Sequence, residues 1–298
     1  MRKLYLLLDE WKNDKNFVGS ELEEIKKHFD VTVICNDFED KDSVQFSNGI
    51  RFFFYNRKNT SGKIKAIFHA IIDKSTWNEI RRTKSESNRI SKISEIVRFY
   101  INAELFYCYL KKNGLFEDNS DAIYYSYWYF WKCFAVTKHK KDNQNIKIIT
   151  RTHEYDLYTV SIPSEYQPFK CEMDKNLDKV IFIAEHGRQY YLKKYGFDSG
   201  DKYQLYHLGT KDYTILNPYE KQDKFVLVSC SSVIPRKRVG LIVDALEEID
   251  DINIEWIHFG SGELLVELNE QANKKLGSKS NISYKLMGYT NHEDIMDF

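Results

Sequence analysis

Short apolar runs alternate with longer stretches of helical periodicity along this chain. Residues 4–8 (LYLLL), 31–35 (VTVIC) and 50–55 (IRFFFY) read as strands. Residues 20–29 (SELEEIKKHF) read as an amphipathic helix, with Ser20 as its cap and Glu23 three positions on. Residues 63–112 are long, helical and basic. Strand character resumes at 122–128 (AIYYSYW), 146–151 (IKIITR), 179–184 (KVIFIA) and 203–209 (YQLYHLG), with a helix at 185–196 that Gly196 stops. Residues 210–224 have Pro218, mixed charge and no periodicity, and read as a linker. After them the rhythm restarts: strands at 225–230, 254–260 and 282–288, helices at 239–249 and 262–277, and a last helix beginning in 291–298. Apolar strands that do not alternate, each followed by a helix, predict parallel sheets covered on both faces. The fold class is therefore α/β. Two domains are expected, residues 1–217 and 218–298, and the second is short for a doubly wound sheet.

A length of 298 residues suits two domains, and 42% hydrophobic content supplies their cores. Lys plus Arg and Asp plus Glu balance at 44 each, so no global charge draws in nucleic acid. Locally the balance fails: residues 57–112 hold thirteen Lys/Arg against five Asp/Glu. Five cysteines at wide spacings, without C-x-x-C, predict neither a disulfide framework nor a zinc site and suit a reducing, cytoplasmic setting. The apolar run before Asp9 is five residues, too short for a signal peptide.

Chemistry concentrates where strands give way to helices. Arg236, Lys237 and Arg238 follow an apolar strand and precede a helix, which is where open α/β sheets hold phosphates; a solvated basic turn is the other reading. Gly260 and Gly262 follow the next strand, either to admit a nucleotide to the backbone or to make a tight turn. The G-x-G is followed by Leu265 where a dinucleotide fingerprint has its last glycine, which argues against NAD. His153 follows the strand at 146–151, with Arg151 and Asp156 nearby to orient it or to pair with each other; a polar loop histidine is the alternative. Glu185 and His186 open a helix, facing a site or simply favouring the helix dipole. The aromatic cluster at 124–134 and the basic helices of 57–112 read either as a surface for a membrane or a lipid-linked acceptor, or as a buried strand–helix junction with solvated helix backs; the junction is the favoured reading of the aromatics.

Six strings, in order, resemble retaining glycosyltransferase family 4, especially bacterial members that build exopolysaccharide, capsule or lipopolysaccharide. They are RTHEYDLY (151–158), AEHGRQYYLKKYG (184–196), YHLGT (206–210), SCSSVIPRKRVGLIVDAL (229–246), HFGSGELL (258–265) and LMGYTNHEDIMDF (286–298). The resemblance implies the GT-B architecture of two Rossmann-like domains. It implies transfer of a sugar, with retention, from a UDP- or GDP-sugar on the second domain to a saccharide or lipid-linked hydroxyl acceptor on the first. No metal or other cofactor is expected, since basic side chains and helix ends carry the diphosphate. His153 is expected at the cleft near the transferred sugar, and Gly19 (in NFVGSELEEI) in the first loop. Lys237 matches the family's diphosphate lysine. The partner arginine falls on Ser232, a departure for which Arg236 or Arg238 would substitute. The family's Glu-x(7)-Glu pattern would follow Phe298, so the chain reads as truncated within the second domain or completed by another chain. Alternative readings are a non-catalytic GT-B partner or scaffold subunit, and a nucleotide-sugar epimerase or phosphorylase.

Overall fold

The computed structural model describes residues 1–36, 49–56, 62–116, 121–141, 143–209 and 224–298. The chain divides into two compact units, Met1–Tyr213 and Thr214–Phe298. The expected boundary at 217/218 and the linker lie outside the described residues.

The first unit is built on a seven-stranded sheet. Its strands are β1 (Arg2–Leu7), β2 (Phe29–Asn36), β3 (Arg51–Tyr55), β4 (Ile123–Ser126), β5 (Lys147–Thr152), β6 (Lys179–Phe182) and β7 (Tyr203–Leu205). All pair in parallel, in the order β3-β2-β1-β4-β5-β6-β7. Strand order reverses between β1 and β4, a topological switch point whose carboxyl edge is the ligand-binding position of such sheets.

Alternation along β1 shows why its sequence is continuously apolar. Tyr5 and Leu7 enter one core, with Phe106, Phe134 and Phe182; Leu4 and Leu6 enter the other, with Val18, Leu22 and Val33. A strand buried on both faces has no polar side to display.

Helix α1 (Trp11–Ile25) follows β1. Position 20 therefore lies inside the helix and not at its start, and Phe29 belongs to β2. Among its described residues the buried positions are Asp14, Val18 and Leu22, spaced four apart, so that stripe begins on a carboxylate and not on an apolar residue. The basic segment forms α2 (Lys63–Ile72), α3 (Lys74–Arg82) and α4 (Arg89–Lys112). The aromatic cluster spans β4 and α5 (Trp131–Lys140) and is mostly core, as its junction reading predicts. Short helices α6 (Glu154–Leu157) and α7 (Lys170–Asp174) follow β5, and α8 (Glu185–Tyr195) follows β6. Gly196 ends α8 at φ 68°, the left-handed cap the sequence predicts.

The second unit has three parallel strands in the order β10-β9-β8: β8 (Phe225–Cys230), β9 (Ile254–Phe259) and β10 (Ile282–Gly288). Helices α9 (Gly240–Glu247), α10 (Leu265–Leu276) and α11 (His292–Asp297) alternate with them. Trp256, Val243, Leu268 and Ala272 form its core. β9 is buried throughout, whereas the outer strand β8 exposes Phe225, Val226 and Val228. This is half of a doubly wound sheet, the incomplete second domain that the sequence predicts.

Candidate functional site

Three strands of the first sheet deliver polar and aromatic side chains to the switch-point edge. β5 ends at Thr152, and His153 follows as the residue before α6. Its backbone N–H donates to Asp156 Oδ1 at 2.5 Å, which starts the short helix. Asp156 is fully buried, and its Oδ2 accepts the Tyr129 N–H at 2.7 Å. The same carboxylate oxygen lies 3.7 Å from His153 Nδ1. Both His153 ring nitrogens are buried; the ring caps the Asp156 backbone N–H, and Nε2 has no hydrogen-bond partner among the described residues. Buried imidazole nitrogens are normally satisfied, which singles out Nε2 at this edge.

Aromatic rings flank this imidazole. Its centroid lies 4.3 Å from Trp128 and 4.9 Å from Tyr127, both in the turn after β4. Trp128 is fixed in turn by α1: its Nε1 donates to Asp14 Oδ1 at 3.1 Å. Asp14 Oδ2 accepts the backbone N–H groups of Asp9 and Glu10 at 3.0 and 3.2 Å. Burial pushes the Asp14 carboxyl above the usual range, against the lowering effect of the Trp128 hydrogen bond.

Arg151 does not orient His153, nor does it pair with Asp156. It makes a bidentate pair with Glu21 of α1, Nη1 to Oε2 at 2.6 Å and Nη2 to Oε1 at 3.2 Å. Tyr125 adds its hydroxyl to Glu21 Oε1 at 3.1 Å. The guanidinium packs 5.5 Å from the Tyr127 ring centroid, so Tyr127 stands between Arg151 and His153. The pair ties α1 to β5 across the switch point. Gly19 lies within α1 and not in a loop before it, and a Cβ added there meets nothing within 4 Å.

β6 pairs with β5, so α8 begins at the same sheet edge. Glu185 is spoken for: Arg188 donates to it at 3.0 Å, as does Gln189, and the Arg188 contact holds its carboxyl below the usual range. His186 Nδ1 pairs with the Tyr158 hydroxyl at 2.9 Å. Both side chains are thus engaged by neighbours within the first unit, at the first turn of α8.

In the second unit the basic residues lie in a 3₁₀ turn, Pro235–Lys237, with Arg238 left-handed at φ 49°. Ser232, Arg236, Lys237 and Arg238 are exposed, and α9 starts two residues after Arg238. Gly260 and Gly262 have a packing reason. A Cβ on Gly260 would lie 1.9 Å from Ser231 O, and one on Gly262 would lie 2.3 Å from Val233 O. The loops after β8 and β9 are thus laced backbone to backbone, Val233 N to Ser261 O at 3.0 Å and Leu264 N to Val233 O at 3.1 Å. Beneath them His258 is buried, its Nδ1 paired with Ser229 Oγ at 2.8 Å, and burial pulls its pKa down.

Sequence reading missed Asp14 and Glu21, and it took Tyr127 and Trp128, in the 124–134 cluster, mainly as core. The two aromatics carried a signal: they directly follow a strand at the switch point, where side chains meet ligand as well as core. Among the described residues no group of three His, Cys, Asp or Glu is placed to hold a metal ion. A cavity of about 400 Å³ lies elsewhere, between β3, α2 and α4, and touches none of the sequence-predicted site residues.

No protein-family model and no curated relative matches the chain. Solved structures do. A lipopolysaccharide outer core galactosyltransferase, WaaB in its apo form, aligns with TM-score 0.61 and 12% identity, over 99% of this chain and 70% of that one. Trehalose-6-phosphate from E. coli bound with UDP-2-fluoroglucose aligns with TM-score 0.61 and 10% identity, over 99% and 75%. S. aureus TarM, as a mutant with fondaparinux, α-GlcNAc-glycerol and UDP, aligns with TM-score 0.56 and 14% identity, over 97% and 78%. At these identities the likeness establishes the fold, GT-B, with two Rossmann-like units.

Proposed function

We propose that this chain is a glycosyltransferase that moves a sugar from a nucleotide-sugar donor to a hydroxyl acceptor with retention of configuration, in surface polysaccharide or glycoconjugate synthesis. The observation that carries the reading is His153, an imidazole held against Asp156 with Nε2 unpartnered among the described residues, walled by aromatic rings at a switch-point edge. The fold is one whose similar structures hold UDP or a UDP-sugar. In this reading His153 hydrogen-bonds a hydroxyl of the transferred sugar or its acceptor. Lys237, with Arg236 or Arg238 beside it and Ser232 in the loop before, takes the donor diphosphate. Negative charge grows on that leaving group as the glycosidic bond breaks, and a fixed cation stabilises it more in the transition state than in the ground state. The diphosphate then needs no metal. The expected setting is the cytoplasm, or the inner face of the cell membrane.

The test is release of UDP or GDP from a panel of nucleotide sugars, with and without saccharide acceptors. His153→Ala is expected to lower turnover by about 10²- to 10⁴-fold, the usual worth of a positioned acid, base or hydrogen-bonding group. Unchanged turnover removes His153 from the site.

A second reading has its own observation. The outer strand β8 presents Phe225, Val226 and Val228 at 60%, 36% and 47% exposure. An apolar edge strand invites pairing with a further strand. A non-catalytic partner subunit, or one completed by another chain, would use that edge. Stable hetero-association together with no nucleotide-sugar turnover would favour it over the enzyme.

A further inference from the structure

Helix α4 sets four polar residues on one face near its start. Ser91, Ser94, Glu95 and Arg98 recur at the helical period. Across from them is the segment 162–168, which carries Pro163 and Pro168, two of the chain's four prolines. A fixed φ at each proline stiffens this wall before any ligand arrives. The stripe and the segment line a cavity of about 420 Å³, together with Phe99 and Phe130. Ser91, Pro163 and Ser164 also line a second cavity, of about 500 Å³, bordered by Asn88 and Arg89. The two make one groove.

Two contacts join this groove to the imidazole edge. Phe130 stacks on Trp128 with ring centroids 6.5 Å apart, and Trp128 lies 4.3 Å from His153. Those two spacings together match the length of a disaccharide. Gln167 Nε2 donates to Tyr155 O at 2.6 Å, in the short helix that His153 precedes. The other end of the same amide is unexplained by the fold. Gln167 is 3% exposed, and its Oε1 is buried with no hydrogen-bond partner among the described residues. Gln167 lines this cavity and also a smaller one of about 170 Å³. A buried amide oxygen without a donor is rare, and a ligand hydroxyl would satisfy it.

The lining specifies the ligand's chemistry. Glu95 pairs with Arg98, so the two charges of the inner cavity cancel. The serine hydroxyls, the amide oxygen and the apolar faces of Phe130 and the prolines remain. An uncharged ring, with hydroxyls round its rim and C–H groups on its faces, complements that mixture.

We infer that this cavity is an acceptor subsite, holding a neutral sugar unit of an oligosaccharide whose accepting hydroxyl lies at His153. The oligosaccharide runs from the imidazole edge over Trp128 and Phe130, and Gln167 and the α4 serines take the hydroxyls of its inner unit. The subsite selects acceptors of two or more units over single sugars. It rests on the sugar-transfer reading for its reaction, but the binding it asserts needs no donor.

The test is binding of the full chain, without nucleotide sugar, to an array of mono- to tetrasaccharides of glucose, galactose, mannose and N-acetylglucosamine, with uronate-containing counterparts. Retention of neutral oligosaccharides and not of monosaccharides is expected. Ser94→Trp puts a bulky ring at the cavity and should weaken that binding by about tenfold or more. Ser91→Trp is a second blocking variant. Both positions are exposed, and unaltered thermal melts confirm folding. In transfer assays Ser94→Trp should raise the ratio of trisaccharide to monosaccharide KM by the same factor, with kcat on the trisaccharide little changed, as for a contact that binds ground and transition states alike. A parent chain that retains no neutral oligosaccharide overturns the proposal, even where nucleotide-sugar turnover is found. Retention of acidic glycans only overturns it, as does neutral binding that both tryptophan variants leave unchanged. Neutral binding blocked by tryptophan, in a chain that turns over no nucleotide sugar, upholds the saccharide site and fails the transfer reading alone.

Discussion

His153 owes its place to neighbours that are themselves fixed. Asp156 takes two backbone N–H groups, one of them from His153, and sets the turn. Asp14 fixes Trp128, and Trp128 covers the imidazole. Close by, Lys170 is fully buried; its ammonium donates to Tyr129 O and lies 3.8 Å from the Tyr129 ring centroid. Burial pulls its pKa down to about 8, against the raising effect of Asp156. The linkage sign follows from proton counts. Between pH 8 and the unfolded lysine value near 10.4 the unfolded chain binds the extra proton, so this group makes stability rise with pH in that window. Lys170→Met removes the contribution. The stability of the parent relative to this variant is expected to rise by about 2 kcal/mol between pH 7.5 and 9.5, measured by urea unfolding at each pH. A difference that is flat with pH would mean that Lys170 keeps an ordinary pKa.

Helix α1 illustrates what an element conceals. Gly19 sits in its interior with open space beside it. A mid-helix glycine costs about 0.5–1 kcal/mol relative to alanine, so Gly19→Ala should raise stability by that amount in a thermal or urea melt. If stability rises while sugar transfer falls, Gly19 admits a ligand to the backbone, as the family resemblance implies; unchanged transfer leaves it a plain helix position. The start of α1 was hidden because its buried stripe begins at Asp14, a residue that periodicity scores as polar. The strands were legible for the opposite reason: burial on both faces makes each a continuous apolar run. The Glu21–Arg151 pair joins positions 130 apart in sequence, and the Asp14–Trp128 bond joins positions 114 apart. Such partners are brought together by sheet order, which local pattern does not encode. Gly260 and Gly262 were legible as glycines with a purpose. Their packing against Ser231 and Val233 depends on how two loops meet.

At the scale of the whole molecule, a chain with no net charge carries its polarity unevenly. Exposed lysines lie on α2 and α3 in the first unit, and a separate basic turn precedes α9 in the second. Each unit has its own core and its own strand-edge chemistry. In the proposed function the imidazole edge meets the sugar and the basic turn meets the diphosphate. The most direct test is calorimetric titration of the chain with UDP and GDP, comparing the parent with Lys237→Ala. A charge-assisted contact to phosphate contributes about 1.5–3 kcal/mol, so the parent should bind one of the two and the variant should bind it roughly ten- to a hundredfold more weakly. Lys237→Arg should recover part of the loss, since a point charge matters there more than shape. A parent that binds neither nucleotide, or equal affinity in parent and Lys237→Ala, would contradict the account.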